Sequence, residues 1–367
     1  MRDCINKNLI VISILHLIVD FLCVGSLILA FNTFDDRIQT FTYIFLLYNC
    51  LAFLTQPFFG MLADHFKGAN QSTMLKAFML LSSGVLLIGW LIMTVQYWLH
   101  SNEAMVYVSA GILGIGNGFF HATAGKESLM FTTKATPGGL FVSTGALGVG
   151  LGGILFVGKF LILLFVYFLV APIILIVLSL IHLQTLEEKP LLKYEVMPNK
   201  KIPLLSLIVI ILCLAIAVRS FLGFYAIMST DVTGWGPVLL LSVAVFIGKA
   251  IGGLILDLIG PYALIILSTV IATVTSIFLP IIYLDYVFMI SFNMLMPLTL
   301  DALRKCFPNK EGFSFGFAAA FLIPGYLVGS ALKGYGMQSI IIPIICFITG
   351  GILIISYVVR SKIIEKC

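Results

Sequence analysis

Apolar runs of about twenty residues follow one another along this chain, at roughly 9–31, 41–62, 74–96, 104–123, 138–157, 160–182, 203–228, 236–257, 261–283, 286–303, 313–332 and 338–358. A helix needs about 20 apolar residues to cross a bilayer, and a chain in lipid must satisfy its backbone hydrogen bonds inside such helices. Twelve spans use about 240 residues by that measure; the remainder of 367 residues serves connections and ends, with no room for a separate catalytic domain. Composition agrees. The chain is 60% apolar and 10% charged, whereas soluble domains run near 45–50% and about 25%. So few charges could not cover a water-exposed surface. The reading is an all-α membrane protein of twelve transmembrane helices.

The most polar stretch, HLQTLEEKPLLKYEVMPNKK from His182 to Lys201, divides the runs into two sets of six. The expected organisation is an N-terminal six-helix bundle over 1–183, a cytoplasmic linker over 184–202 and a C-terminal six-helix bundle over 203–367. The first run carries Asp20 and shows no A-x-A cleavage site, so it reads as a retained helix rather than a signal peptide. With the N-terminus in the cytoplasm, 16 of the 21 Lys and Arg residues fall on inside segments. Arg37, Lys159 and Lys333 fall outside, and Arg219 and Lys249 fall within spans. One missed helix would invert everything after it, so this asymmetry supports both the span count and cytoplasmic termini. The net charge of +5 then reflects topology and gives no reason to expect nucleic acid as a partner. Seven scattered cysteines without a CxxC pair argue against a disulfide framework or a metal knuckle.

The halves echo each other. Gly60-Met-Leu-Ala-Asp64-His-Phe-Lys67-Gly68 closes span 2, and Gly253-Leu-Ile-Leu-Asp257-Leu-Ile-Gly260 closes span 8. Span 4 ends on Lys126 ahead of Pro137-Gly138-Gly139, and span 10 ends on Arg304 ahead of Pro308 and Gly312. Repeated halves of this kind place a solute site at their interface.

These segments resemble the cytoplasmic motif of the major facilitator superfamily. His16-Leu-Ile-Val-Asp20, Gln56-Pro57 with Gly60 and Asp64, and Gly114-Ile-Gly116-Asn-Gly-Phe-Phe120-His121 are similar to the fosmidomycin-resistance-type branch. Thr144-Gly145-Ala-Leu-Gly148-Val-Gly-Leu-Gly152-Gly153 resembles the glycine-spaced motif of the superfamily's exporters. Ala122 stands where the branch has Pro, and the second basic cluster of the loop motif is absent after Gly68. The resemblance implies the major facilitator fold, two pseudo-symmetric bundles, and transport by alternating access.

Charges inside a bilayer cost several kcal/mol and mark pathways or pairs. His16 and Asp20, at i and i+4, share a helical face; a histidine beside a carboxylate trades protons near neutral pH, or the pair locks span 1 to a neighbour. Arg219, deep in span 7, fits either an anionic solute held in a bidentate fork or an ion pair with Asp20. Lys249 stands two turns before Asp257, between gate and cavity. Asp301 invites a local pair with Arg304 three residues on, and His121 fits either packing or function. His16, Asp20, His121, Arg219, Lys249 and Asp301 are therefore the candidate substrate or proton-coupling residues. Gly60, Asp64, Lys67, Lys126, Gly253, Asp257 and Arg304 are the candidate gating residues: each carboxylate follows a glycine by four positions at a helix end, where it can reach a helix N-terminus or a basic side chain.

No G-x-x-x-x-G-K-[ST] or H-E-x-x-H motif is present, and the one G-x-S-x-G spacing, Gly312-Phe-Ser314-Phe-Gly316, lies at the start of an apolar run rather than between a strand and a helix, so neither a nucleotide-driven pump nor an intramembrane hydrolase is indicated. The expectation is a non-enzymatic secondary transporter without cofactor, a monomer in the plasma (inner) membrane, exporting a small anionic or amphipathic solute against protons. Uptake or facilitated diffusion of a metabolite is the alternative within transport. A non-transporting sensor or assembly subunit is the alternative outside it.

Overall fold

The computed structural model describes residues 6–33, 38–66, 69–99, 102–130, 132–155, 161–186, 202–229, 234–279, 282–332 and 338–364. Residues 187–201, most of the expected cytoplasmic linker, and the candidate gating residue Lys67 lie outside these residues. In chain order the first half comprises α1 (Lys7–Thr33), α2 (Gln39–His65), α3 (Ala69–Leu99), α4 (Glu103–Met130), α5 (Thr136–Gly153) and α6 (Leu161–Thr185). The second comprises α7 (Ile202–Ser229), α8 and α9 within Trp235–Ile277, α10 (Tyr283–Cys306), α11 (Glu311–Ala331) and α12 (Gln338–Ile364).

Ten of these stretches, among the described residues, are long and apolar enough to cross a membrane. One of the ten, Trp235–Ile277, has 43 residues. At about 1.5 Å per residue it measures roughly twice a hydrocarbon core of about 30 Å. It is interrupted at Gly260, whose φ of 83° and ψ of 174° are non-helical, with Pro261 next in sequence. A positive φ is easy only for glycine, and the following proline cannot donate back. The break separates α8 (235–259) from α9 (261–277). With α8 and α9 counted separately and α5 added, the described residues hold twelve such helices, consistent with the expected number.

The outside of the bundle is apolar. Leu161, Phe347 and Leu258 are 81%, 70% and 71% exposed, and an aqueous surface would not display such side chains in a continuous belt. The polar groups are inside instead. Within the first half α1 packs on α5 and α4 on α2 and α3; within the second α7 packs on α11 and α9 on α12. The halves meet along two seams, α2 against α11 and α5 against α8. Small residues line both. Gly60 meets the Gly312 backbone so closely that a Cβ at 60 would overlap the Gly312 carbonyl. On the other seam Gly139 lies against Lys249 and Gly253, and Gly253 lies against Ala135 and Thr136. Close backbone approach lets the seams pack without large side chains.

Candidate functional site

Both seams end, at one pole of the molecule, in the same device. Asp64, at the end of α2, accepts hydrogen bonds from the backbone N–H groups of Gly312 (3.0 Å) and Phe313 (2.7 Å) at the start of α11. Asp257, at the end of α8, accepts them from Ala135 and Thr136 (2.8 Å each) at the start of α5, and from the Thr136 hydroxyl. Each carboxylate caps the first turn of a helix from the other half, where unsatisfied N–H groups and the positive end of the helix dipole meet a negative charge. The two are not equivalent in their surroundings. Asp64 is buried and pairs with Lys126 at 3.0 Å, while Lys126 also donates to the Ala63 carbonyl (2.7 Å). Asp257 is exposed at its helix end, and among the described residues no basic side chain pairs with it. Arg304, fully buried, turns instead to the end of α4 and the loop after it. It donates to the carbonyls of Leu129 (3.0 Å), Thr132 (2.6 Å) and Thr133 (2.7 Å). Asp301 pairs locally with Arg304 and Lys305, both at 2.5 Å; it stays at this pole rather than in the interior. The pole is therefore closed by carboxylates, guanidinium and backbone from both halves.

Beyond the closure lies a cavity of about 580 Å³, lined by α1, α2, α4, α5, α7, α8, α10 and α11. Its walls run from Gln56 and Phe315 to Gly153 and Val238, near the opposite helix ends. Four of the sequence-derived candidates line it: His16, Asp20, His121 and Arg219. Lys249 stands aside, donating across the α5–α8 seam to the Val142 carbonyl at 3.3 Å.

Three of the four come together. His16 Nε2 lies 3.2 Å from Asp20 Oδ2 and 2.8 Å from His121 Nε2, and His121 Nε2 lies 3.7 Å from Asp20 Oδ1. The other ring nitrogens fix the protons. His16 Nδ1 faces the Phe141 carbonyl at 2.7 Å and His121 Nδ1 the Asn117 carbonyl at 2.9 Å. Carbonyl oxygens only accept, so both Nδ1 atoms carry hydrogen. Two neutral rings would then turn lone pair to lone pair at 2.8 Å. The contact becomes attractive only when an electron-poor species sits between the Nε2 atoms, and the simplest is one extra proton, with Asp20 as its counter-charge. Asn117 completes the cluster, donating to Asp20 Oδ1 at 3.1 Å.

Gly145 on α5 makes room for this arrangement, since a Cβ there would overlap His16 Nε2 and press on Asp20 Oδ2. Gly145→Val is expected to push the triad apart and lower the thermal unfolding midpoint by roughly 2–4 °C, as overpacking of about 1 kcal/mol would. An unchanged midpoint would show the space to be unimportant.

Arg219 faces the cavity from α7. The ion pair with Asp20, one of its two sequence readings, is not made here, because Asp20 is occupied by His16, His121 and Asn117. Among the described residues no carboxylate pairs with Arg219, and its Nε has no hydrogen-bond partner. Sequence reasoning passed over Asn117, whose amide looks ordinary inside a glycine-rich segment. It also passed over the buried cluster behind the triad, in which Glu127 accepts from Asn8 (2.9 Å) and contacts His182 (2.8 Å). Glu127 follows Lys126 directly, which reads as a solvated charge pair; only the fold shows that the two point apart.

No protein-family profile matches the chain, and no curated protein matches it in sequence. Solved structures do match in fold. The fucose:proton symporter FucP of E. coli superposes with a TM-score of 0.66 at 14% identity, covering 97% of this chain and 99% of that one. A bacterial homologue of the iron transporter ferroportin, in an outward-facing state, gives 0.64 at 14% identity over 98% and 100%. The human organic anion transporter MFSD10 gives 0.67 at 13% identity over 96% and 99%. The helical architecture and these superpositions agree that the chain has the fold of the major facilitator transporters.

Proposed function

We propose that this protein is a secondary active transporter of the fosmidomycin-resistance type, exporting a small anionic or amphipathic solute by alternating access in exchange for protons. The observation that carries the reading is the cavity itself. It is lined from both halves, sealed at one pole by Asp64 and Asp257, and holds the His16–Asp20–His121 triad on one wall with a guanidinium on another that pairs with no carboxylate among the described residues. A site at the interface of two bundles that can rock against each other is what alternating access requires. Arg219 supplies an anion fork, and the His16–Asp20–His121 cluster supplies the coupling proton. Among proteins of this fold, FucP is a proton symporter and MFSD10 an organic anion transporter, so both capacities suit the architecture. The export direction rests on the glycine-spaced motif of α5 and on the basic residues, which put the sealed pole and both termini in the cytoplasm.

The solute class follows from Arg219. A thermal-shift screen of purified protein against carboxylates, phosphonates and lipophilic anions is expected to give stabilising ligands that Arg219→Ala binds about 10–100-fold more weakly, the range for one charge-assisted contact of about 1.5–3 kcal/mol. Arg219→Lys, which keeps the charge and loses the fork, should fall between. Equal binding by all three proteins would remove the anion assignment. Each hit is then carried into proteoliposomes, because binding without flux would indicate a sensor.

A further inference from the structure

The proton between the two imidazoles is one solution to the geometry of the triad; a metal ion is the other. His16 Nε2, His121 Nε2 and an Asp20 carboxylate oxygen all lie within 4.8 Å of one another; the two nitrogens are 2.8 Å apart, Asp20 Oδ2 is 3.2 Å from His16 and Asp20 Oδ1 is 3.7 Å from His121. A tetrahedral ion with bonds of about 2.0–2.1 Å to nitrogen and oxygen holds its ligand atoms about 3.3 Å apart. These nearest approaches bracket that value. The lone pairs are also correctly disposed, since both Nδ1–H groups are spent on the carbonyls of Phe141 and Asn117. A ligating histidine almost always donates its other N–H in this way, to hold the ring and its tautomer.

We propose that His16, Asp20 and His121 form a three-ligand site for a divalent transition-metal ion. Two imidazoles and one carboxylate suit ions of the Fe²⁺ to Zn²⁺ series, whereas Ca²⁺ and Mg²⁺ require shells of oxygen. The site differs from a structural metal centre in having only three protein ligands, all of them lining the cavity. Its fourth position opens onto that space, where a ligand of the ion can be exchanged. The cavity of about 580 Å³ is far larger than a bare ion. With Arg219 unpaired in the same chamber, it has both the volume and the charge to take a small anion bound at that fourth position.

The charged and titratable groups around the cluster are few. Cys23 on α1 and Tyr48 on α2 are in electrostatic contact with Asp20, and Lys249 on α8 with Asp20, His121 and Arg219. α5 brings Phe141, Gly145 and Gly148 against it, none of them titratable. Lys249 and Arg219 disfavour an added positive charge.

The proposal rests on the transport reading only for what the ion is used for; the site can be tested without flux. Purified full-length protein in detergent is titrated with Co²⁺ and followed by visible absorption, with Zn²⁺ calorimetry for stoichiometry. The expected result is a four-coordinate spectrum with nitrogen and oxygen donors at one ion per chain. Affinity should fall about a hundredfold or more in His121→Ala and in Asp20→Asn, beyond the 10–100-fold carried by outer-sphere partners. Co²⁺ binding that is absent, that persists undiminished in both variants, or that shows a thiolate charge-transfer band overturns the site. If the metal is not bound while an organic anion still moves with a pH gradient, the site falls and the transport reading stands. If the triad binds Co²⁺ but no solute moves under any gradient, the site stands and the transport reading falls.

Discussion

Asp20→Asn is expected to abolish flux driven by a pH gradient, by about a hundredfold or more. The change is nearly isosteric, and Asn117 can still donate to the remaining carbonyl oxygen, so the packing of α1 on α5 has no reason to change. What is lost is the negative charge that stabilises the proton shared by His16 and His121. A charge-assisted hydrogen bond contributes about 1.5–3 kcal/mol, and Asp20 lies within 4 Å of both rings. Both rings lose their carboxylate partner in the one change. Exchange without a gradient, of solute outside for solute inside, should survive better than gradient-driven flux, since Arg219 is untouched. Proteoliposomes loaded with a pH dye measure both. Gradient-driven flux at the wild-type level in Asp20→Asn would exclude the triad as the coupling site.

Asp64→Asn is expected to open the sealed pole, and to do so more than Asp257→Asn. Both changes weaken two backbone hydrogen bonds to a helix N-terminus. Only the first also leaves a buried cation, Lys126, without its counter-charge. Breaking one side of a buried pair costs about 3–5 kcal/mol, whereas a solvent-exposed carboxylate such as Asp257 is screened and its cap is worth about 1 kcal/mol. In population terms, Asp64→Asn moves the equilibrium between closed and open by about two to three orders of magnitude, Asp257→Asn by about tenfold or less. Lys134 and Lys310 lie exposed on opposite halves of this pole. Spin labels at Lys134→Cys and Lys310→Cys would report a longer distance in Asp64→Asn. An unchanged distance distribution would show that the contacts decorate the closed state without holding it.

The spans were legible because lipid imposes one rule on every helix, and a run of twenty apolar residues can satisfy it in few ways. The paired capping carboxylates were legible too, since Gly60 with Asp64 and Gly253 with Asp257 repeat at equivalent helix ends. The same reasoning left their partners open. It offered Lys126 or Arg304 to both aspartates, and the structure gives Lys126 to Asp64 while Arg304 reaches carbonyls of the α4–α5 connection. The i, i+4 spacing placed His16 with Asp20, which is a property of one helix. That His121 joins them depends on how α4 leans on α1, and no local pattern encodes a contact 105 residues away in sequence. Arg219 shows the same limit: its depth in α7 was readable, but whether it meets Asp20 depends on how the two halves are set.

The most direct test of the central claim is the sign of flux. Wild-type protein is reconstituted with a solute taken from the thermal-shift screen, and its movement is followed with the vesicle interior first more acidic and then more alkaline than the medium. Exchange of solute for protons predicts net movement toward the acidic side in each case, reversing when the gradient is reversed. Flux with the same rate and direction under both gradients, or binding with no flux at all, would contradict it.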